Sequence, residues 1–444
     1  MIRHPTFSFF SIFIPFMISI PSWSNYKETW AEEKSKVRTK TSHSFCVQDP
    51  ALHKIVGEKS ERLVRLASVS KVFTSYWALT TLGPYHQFST TFSYDSQSKN
   101  LLIFGSRDPF FSVSSILWAI AQLNQQGITE VNDIQFNADF KLFLEFESPK
   151  ERHSTIGIEG GITPARTKDG LLKAFQTDKW SSYIQHSYNN LLQQTAGLIQ
   201  LPQSLSMKAR SVTFRPDLKI TPSVNVTVLS QPLYKYLKEI NIFSLNYPSD
   251  ELFNLLGGPV PAKHFFAKEL DFDKTDLQMF SGSGLPLGKG RRRLENIGTC
   301  MAFLKVVQLL ENKLQKVDKT LPEVMLVGGV DTEGTLRGVY SLESLSGAVI
   351  AKTGTTNTAI TLGGKLSTQQ GPAYFGLFFE VLSPAFRAKA RQVRDDMVEA
   401  IMEDLQGKVP VNYTKQSFLP FAIASANGNG NAHPLPPETP GALE

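Results

Sequence analysis

The sequence RLASVSKVFTSYWAL, residues 65–79, is the most informative segment of this 444-residue chain. Ser68 and Lys71 are three positions apart in it, so on a helix their side chains lie on the same face. A broad apolar stripe runs through the same segment, formed by Val69, Val72, Phe73, Tyr76 and Trp77. A hydroxyl beside an amine in a partly dry place is a nucleophile with a base, because desolvation lowers the pKa of a lysine. We therefore predict a buried helix that carries Ser68 as nucleophile and Lys71 as its base.

The Ser-x-x-Lys pattern is common by chance, and this chain contains a second copy at Ser96 and Lys99. That copy lies within the polar run of residues 94–100, which has the composition of a hairpin turn between two strands. We interpret it as solvated and inert. The Ser68 copy therefore needs support from other segments of the chain.

The composition excludes several classes of protein. An apolar content of 41% and a charged content of 19% are typical of a globular chain, and the length suffices for two or three domains. The net charge of +6 is mild and the basic residues are scattered, apart from Arg291–Arg293, so nucleic-acid binding is not predicted. The histidines are dispersed and no zinc-binding spacing is present, so we expect neither a metal nor another cofactor.

The first 24 residues have the pattern of a secretion signal. A short basic start containing Arg3 precedes a mostly apolar run from Phe7 to Ile20, and Ser22 and Ser24 supply the small residues that a signal peptidase reads. The apolar run is too short to cross a bilayer, which takes about 20 such residues, and no later segment qualifies. We expect residues 1–24 to be removed and the mature protein to be periplasmic, without a transmembrane anchor.

Two cysteines, Cys46 and Cys300, are present. An exported protein can form a disulfide, but two unpaired buried thiols are at least as compatible with the sequence. The sequence does not decide between these alternatives.

Predicted helices and strands divide the chain into an α/β domain and an insert. One predicted strand, 88–92, crosses into the insert, residues 91–230. Within the insert we predict strands at 101–104, 133–140, 211–214 and 224–229 and helices at 114–126 and 188–199. In the α/β domain, residues 25–90 and 231–410, we predict helices at 232–240, 249–256, 294–314 and 384–405 and strands at 348–351, 360–364 and 374–381. Ser249 is the predicted N-cap of its helix, and Gly257-Gly258 its stop. The polar, proline-rich end, residues 411–444, is predicted to be disordered.

The segment Ala348–Thr355 contains a second informative motif, Lys352-Thr353-Gly354, at the end of the predicted apolar strand 348–351. A lysine and a threonine hydroxyl at a strand edge can hold a carboxylate, and Gly354 leaves room for a substrate backbone beside the strand. An ordinary strand end with a solvated lysine is the alternative. The single occurrence of Lys-Thr-Gly, late in the domain, favours a functional role.

A third motif is weaker, because Ser-x-Asn occurs five times. Only Ser244-Leu245-Asn246 falls in a loop between two predicted helices, where a hydroxyl and an amide can reach the mouth of a cleft. The other copies begin at Ser98, Ser187, Ser223 and Ser425, in the insert or the tail, where turn or surface positions are the better interpretation.

In this order, the three motifs form the Ser-x-x-Lys, Ser-x-Asn and Lys-Thr-Gly set of serine penicillin-recognising enzymes. The chain resembles the D-Ala-D-Ala carboxypeptidase/endopeptidase family, the low-molecular-mass class C penicillin-binding proteins. The resemblance covers most of residues 60–405 and includes Gly105–Pro109, Gln231–Leu233, Ser281–Leu285, Gly329–Asp331 and Gly334–Arg337. Two positions differ, since the family usually has Asp where Ser281 stands and a polar residue where Pro286 stands.

This resemblance implies a penicillin-recognising serine transpeptidase/β-lactamase-like domain, with helices on both faces of an antiparallel sheet, and a strand-rich inserted domain. It implies peptidoglycan stem peptides ending in D-Ala-D-Ala as substrates and β-lactam antibiotics as acylating ligands. A class A β-lactamase has no such insert. A β-lactamase and a penicillin-binding homologue with little turnover, acting as a cell-wall-binding module, are the alternatives.

The resemblance also implies roles for individual residues. Lys71 would deprotonate Ser68, Ser244 would pass a proton to the leaving amine, and Asn246 would hold the peptide and position Lys71. Lys352 and Thr353 would bind the terminal carboxylate beside Gly354, and the N–H groups of Ser68 and Thr355 would form the oxyanion hole. The sequence does not separate carboxypeptidase from endopeptidase activity.

Overall fold

The structure is a computed structural model that describes residues 25–36, 43–50, 54–142, 162–219, 226–271, 276–288, 290–381, 384–415 and 417–423. The predicted secretion signal, residues 1–24, lies outside the described residues. Among the described helices, none combines the length and the apolar character needed to cross a bilayer.

A six-stranded antiparallel sheet forms the centre of the molecule, with strand order β11-β12-β13-β14-β1-β2. Its strands are β1 His43–Asp49, β2 Lys54–Glu58, β11 Leu326–Val327, β12 Val349–Thr355, β13 Ala359–Thr368 and β14 Gly371–Glu380. The long strands are rich in buried apolar side chains on both sides, which is the pattern of a sheet covered on both faces.

Helices cover both faces of this sheet, as predicted. They are α1 Asn25–Lys36 and α10 Arg387–Asp404 on one face, and α2 Ser70–Leu82 and α9 Cys300–Gln315 on the other. Successive side chains of β14 point to opposite faces of the sheet and so contact different helical layers. Phe378 contacts Phe303 of α9, whereas the next residue, Phe379, contacts Trp30 of α1. The α/β fold class is therefore confirmed.

A disulfide joins Cys46 of β1 to Cys300, the first residue of α9. Both residues are fully buried, and their Cα atoms are 6.1 Å apart across a sequence separation of 254 residues. Gly376 of β14 allows this approach, since a Cβ there would lie 2.8 Å from the Cys300 sulfur. Of the two alternatives left open by the sequence, the structure has the disulfide.

The insert has its own sheet and its own hydrophobic core. The five strands, in the order β7-β6-β5-β4-β8, are β4 Ser89–Asp95, β5 Asn100–Phe104, β6 Glu130–Phe136, β7 Lys208–Phe214 and β8 Val226–Leu229. Helices α3 Val113–Gln125, α4 Pro164–Ala174 and α5 Ser182–Thr195 complete it. Ser96 and Lys99 are exposed in the β4–β5 turn, where Lys99 pairs with Glu130 at 3.2 Å, so the second Ser-x-x-Lys copy is solvated as predicted.

Several predicted boundaries within the insert are wrong. The strand predicted at 133–140 ends at Phe136 in β6, and the helix predicted at 188–199 begins earlier, at Ser182 in α5. Helix α4 was not predicted, because the polar segment that contains it has a weak apolar pattern. It is stabilised by Thr163, whose side chain accepts a hydrogen bond from the Arg166 N–H.

The connection back into the α/β domain also differs from prediction. Helix α6 spans Leu233–Phe243, α7 spans Asn246–Leu255 and α8 spans Pro259–Leu270. The Ser249 N-cap prediction is wrong, because Ser249 lies buried inside α7 and donates a hydrogen bond to the Gly282 carbonyl at 2.8 Å. Helix α8 was not predicted, since its two prolines have the appearance of helix breakers, but Pro259 occupies the first turn, where proline is tolerated.

The helix predicted at 294–314 begins only at Cys300. Residues Ile297–Gly298 instead form β10, which pairs with β3 Val64–Arg65 and with β9 Leu277–Gln278. Thr299 then caps α9 by accepting a hydrogen bond from the Ala302 N–H at 3.0 Å.

The predicted disordered tail is wrong for residues 411–415 and 417–423, which we call the C-terminal strap. Its Val411 N–H donates to the Gly347 carbonyl at 2.8 Å in the α/β domain. Phe421 is fully buried and stacks on Trp118 of the insert at 5.0 Å. The strap is ordered because its aromatic side chains are buried by both parts of the molecule. Residues 424–444 lie outside the described residues.

Replacing both Cys46 and Cys300 by alanine is expected to lower the midpoint of urea unfolding. The cross-link restricts the unfolded chain over a long loop, and disulfides of this kind typically contribute about 2–5 kcal/mol. Dithiothreitol should shift the wild-type midpoint towards that of the double variant and leave the variant itself unchanged. Identical midpoints for the two oxidised proteins would contradict this expectation.

Candidate active site

The centre of the candidate site is the amine of Lys71. Its Nζ donates to Ser68 Oγ at 3.1 Å, to Asn246 Oδ1 at 2.8 Å and to the Ser283 carbonyl at 2.8 Å. Lys71 is fully buried in α2, whereas Ser68, which was predicted on the same helix, is partly exposed in a 3₁₀ turn just before α2. Burial lowers the pKa of Lys71 to about 7, and the nearby Asp250 carboxylate acts in the opposite direction. The Lys71 amine is therefore about half deprotonated near physiological pH, and it contacts the partly exposed hydroxyl of Ser68.

The backbone around Ser68 requires a close approach by a neighbouring loop. Residues Ala67–Val69 form a 3₁₀ turn before α2, and Ala67 has a left-handed φ of 50°. Gly284 packs directly on this turn, since a Cβ at position 284 would lie 1.8 Å from the Ala67 carbonyl oxygen. Gly284 itself has a φ of +79°, which glycine adopts without strain.

Ser244 and Asn246 are presented by the junction of two helices. Ser244 and Leu245 form the whole connection between α6 and α7, and Asn246 is the first residue of α7. Ser244 has left-handed φ and ψ of 56° and 42°, and the Leu245 N–H donates to the Ile240 carbonyl at 3.0 Å. The predicted loop is thus only two residues long, and it holds both polar side chains at the crevice.

Strand β12 forms the opposite wall of the crevice. Lys352 is fully buried, and its Nζ donates to Ser244 Oγ at 3.0 Å and to the Thr353 carbonyl at 2.8 Å. Burial, and then the positive charge of Lys71, lower the pKa of Lys352 well below its ordinary value. Thr353 is 7% exposed, and Thr355 is exposed at the end of the strand.

Gly354 lets β12 pass beside the 3₁₀ turn that contains Ser68. A Cβ at this position would lie 2.9 Å from the Ser68 nitrogen and 2.1 Å from Thr361 Oγ1. Thr361 of β13 donates to the Leu66 carbonyl at 2.9 Å, so the sheet is fastened to the chain just before Ser68. The structure therefore places all eight residues singled out in the sequence around one crevice: Ser68, Lys71, Ser244, Asn246, Lys352, Thr353, Gly354 and Thr355.

Sequence reasoning gave no role to the loop Ser281–Leu285, although it noted the loop as part of the resemblance. Its Ser283 supplies a carbonyl acceptor to Lys71, and a backbone group carries no signal in residue type. Ser281 accepts from the Gly284 N–H at 3.2 Å and donates to the Leu285 carbonyl at 2.9 Å. A serine closes this turn in the place where the family usually has Asp.

A buried ion pair supports α6 and thereby Ser244. Lys238 Nζ donates to Asp331 Oδ2 at 2.8 Å and to the carbonyls of Pro322 and Met325 at 2.7 and 2.6 Å. The other oxygen of Asp331 accepts from Tyr413 of the strap at 3.2 Å. The Gly329-Val330-Asp331 segment is therefore a structural support, since its carboxylate joins α6 to the strap.

A cavity of about 300 Å³ lies apart from the crevice, between α6 and the strap. Its walls include Tyr234, Lys235, Tyr413 and Phe418 but none of the eight residues above. The candidate site is therefore located by its hydrogen-bonding chemistry, and this cavity is not part of it. Within the described part of the chain, no cluster of three or more His, Cys, Asp or Glu side chains is arranged to hold a metal ion.

Comparison with known proteins gives one family. The sequence model of the D-Ala-D-Ala carboxypeptidase 3 (S13) family matches residues 39–152 and 150–403. A search of curated proteins gave no match.

Solved structures with the same fold include two proteins of Bdellovibrio bacteriovorus. The predatory endopeptidase Bd0816, solved with the immunity protein Bd3460, has a TM-score of 0.75 and 26% identity over 86% of this chain and 98% of its own. The predatory peptidoglycan endopeptidase Bd3459 has a TM-score of 0.73 and 26% identity over 86% of this chain and 98% of its own. Its penicillin G-acylated form matches with a TM-score of 0.70.

Penicillin binding protein 4 of Haemophilus influenzae has a TM-score of 0.56 and 18% identity over 84% of this chain and 99% of its own. It supports the fold class alone.

Replacing Asp331 by Asn is expected to lower the free energy of unfolding by about 3–5 kcal/mol, because it leaves the buried Lys238 ammonium without its counter-ion. Urea unfolding measures the change. The control is E333Q, since the Lys415–Glu333 pair is largely exposed and such pairs contribute about 0–1 kcal/mol. Equal effects of the two substitutions would show that the Lys238–Asp331 pair does not support α6.

Proposed function

Because the chain belongs to the D-Ala-D-Ala carboxypeptidase 3 (S13) family and is a serine D-Ala-D-Ala carboxypeptidase or endopeptidase, we propose that it is exported and hydrolyses peptidoglycan stem peptides through an acyl-enzyme. The proposal rests chiefly on the hydrogen bond from Lys71 to Ser68 within a crevice that also contains Lys352 and Ser244. The acylation of Bd3459 by penicillin G, at 26% identity, supports β-lactams as acylating ligands of this chain as well.

Acylation begins with the neutral form of Lys71. A neutral amine has two N–H donors and one lone pair. Asn246 and the Ser283 carbonyl, each 2.8 Å from Nζ, take the two donors, so the lone pair is directed at the Ser68 hydroxyl. Lys71 accepts the Ser68 proton while the serine oxygen attacks the penultimate carbonyl carbon of the stem peptide.

The strand edge binds the substrate. Lys352 and Thr353 receive the terminal carboxylate, and an arriving anion favours the ammonium form of Lys352. The N–H groups of Ser68 and Thr355 stabilise the oxyanion, where one donor is typically worth about 3–4 kcal/mol of barrier. Ser244, hydrogen-bonded to Lys352 at 3.0 Å, gives its proton to the leaving D-Ala amine and receives one from the Lys352 ammonium. Water then hydrolyses the ester: Lys71 returns the proton to Ser68, and the proton lost by the water passes through Ser244 to restore Lys352.

Export to the periplasm is supported by two observations. The first 24 residues have the charge and apolar pattern of a secretion signal. The Cys46–Cys300 disulfide is typical of proteins that fold in an oxidising compartment.

Intact-mass measurement after treatment with penicillin G, followed by peptide mapping, tests the nucleophile. One penicilloyl adduct is expected on the peptide containing Ser68, and it should be absent from S68A and from K71M. The matched controls are S96A and K99M in the exposed second copy, which should be labelled as fast as wild type. An adduct on another serine would overturn the assignment.

Product analysis with a synthetic stem peptide and a cross-linked peptide dimer then tests the reaction. Release of D-Ala or of monomers is expected for wild type and not for S68A. Labelling without product would instead indicate the low-turnover wall-binding module, and rapid hydrolysis of penicillin would indicate a β-lactamase.

The rate of acylation by penicillin is expected to depend on pH through Lys71. Below a pH of about 7, Lys71 is protonated and cannot accept the Ser68 proton. The rate at saturating penicillin should therefore fall about tenfold per pH unit on the acid side. A rate that is constant from pH 5 to pH 8 would exclude Lys71 as the base.

A further inference from the structure

Two residues on one face of α7 help to hold Lys71, one by a direct hydrogen bond and the other through Ser283. Asn246 and Asp250 are four residues apart and therefore share that face. Asn246 Oδ1 accepts directly from Lys71 at 2.8 Å. Asp250 Oδ1 accepts from the Ser283 N–H at 2.7 Å, and the carbonyl of the same residue, Ser283, accepts from Lys71 at 2.8 Å. The Asp250 carboxylate thus positions Ser283, and the Ser283 carbonyl in turn positions Lys71.

The loop that contains Ser283 is anchored by α7, by α2 and by Asn296, whose side chain accepts from the Ser281 N–H at 3.2 Å and donates to the Ser281 carbonyl at 2.7 Å. The Gly282 carbonyl accepts from Ser249 of α7 and from Thr74 of α2, both at 2.8 Å. These bonds fix the chain before Ser283, but the orientation of Ser283 itself depends on the bond to Asp250. Ser283 is fully buried, so water does not readily replace that bond if it is lost.

One charged group, the Asp250 carboxylate of α7, acts on Lys71 from the elements packed around it. Lys352 of β12 is the neighbouring titratable amine, and burial together with the charge of Lys71 lowers its pKa well below the ordinary value. The remaining groups that contact Lys71 are neutral, namely Ser68, Asn246 and the Ser283 carbonyl. Burial raises the pKa of Asp250, while the Ser283 N–H and the charge of Lys71 act to lower it.

We propose that Asp250 is a positioning residue for the reaction: it fixes the Ser283 carbonyl on Lys71 and supplies the negative charge that sets how readily Lys71 loses its proton. It does not touch the substrate or the reacting atoms. An ionised Asp250 stabilises the protonated Lys71, so its charge moves the active pH range upwards. The inference rests on the proposed function, since it concerns the same base.

The test separates the charge of Asp250 from its hydrogen bond. Asp250→Asn keeps an oxygen that accepts from Ser283 but removes the charge, whereas Asp250→Ala removes both. The matched control is Glu251→Gln on the next residue, whose carboxylate pairs with Lys141 of the insert at 2.7 Å. For each protein, the rate of acylation at saturating penicillin G is measured from pH 5 to pH 8.5, together with the thermal midpoint.

Asp250→Asn should shift the acid limb to lower pH by at least about 0.5 unit, because the pKa of Lys71 falls when the carboxylate charge is lost. Its plateau rate should stay within about threefold of wild type. Asp250→Ala should lower the plateau at least about tenfold, since Ser283 is no longer held. Glu251→Gln should leave the limb unchanged, whatever its effect on stability.

An acid limb in Asp250→Asn that coincides with that of wild type would overturn the proposal, even if Asp250→Ala fails to fold. A limb shifted equally in Glu251→Gln would also overturn it. Failure of the proposed function is distinct, because it would appear as a wild-type protein that is not acylated on Ser68.

Discussion

The structure depends on one buried amine and its three hydrogen bonds. Lys71 has no exposed surface, yet its acceptors come from segments 175 and 212 residues further along the chain as well as from Ser68 in the turn before its helix. A buried ammonium without partners would be strongly unfavourable, so α2 can occupy this position only when α7 and the Ser281–Leu285 loop are in place. The contacts that place Lys71 beside Ser68 are therefore also contacts that pack the domain.

Those contacts stay short because glycine occupies the positions where two backbone segments meet. Gly284 lies against Ala67 and Gly354 lies against the Ser68 nitrogen, at separations that no other residue would permit. The disulfide between Cys46 and Cys300 fastens the sheet to α9, and the strap connects the insert to the α/β domain. The crevice is thus assembled between a rigid sheet edge and a set of helices whose ends face it, an arrangement that suits a preorganised polar site.

The sequence predicted which residues surround the crevice better than it predicted the contacts that hold them there. The three motifs were identified by their order along the chain and by the resemblance that this order carries, since Ser-x-x-Lys and Ser-x-Asn each recur elsewhere, and the apolar stripe from Val69 to Trp77 placed the first motif in a core. The Ser283 carbonyl that accepts from Lys71 was missed because a backbone group leaves no signal in residue type. Asp250 was missed because an acidic residue inside an amphipathic helix has the appearance of a surface position. The pairing of Cys46 with Cys300 could not be inferred, since it depends on a contact across 254 residues. The strap was mistaken for a tail because its aromatic side chains pack on two separate cores, Tyr413 and Phe418 on that of the α/β domain and Phe421 on that of the insert.

The central claim is that Lys71 of the resting protein loses its proton near pH 7, so that the neutral base is available at physiological pH. The direct measurement is a ¹³C NMR titration of the protein labelled at the lysine Cε carbons, with the Lys71 signal assigned by its absence from a Lys71→Met spectrum. The account predicts that this signal titrates near pH 7, far below the range of an ordinary lysine. A Lys71 signal that titrates near pH 10 would contradict it, because the amine would then be charged and unable to activate Ser68.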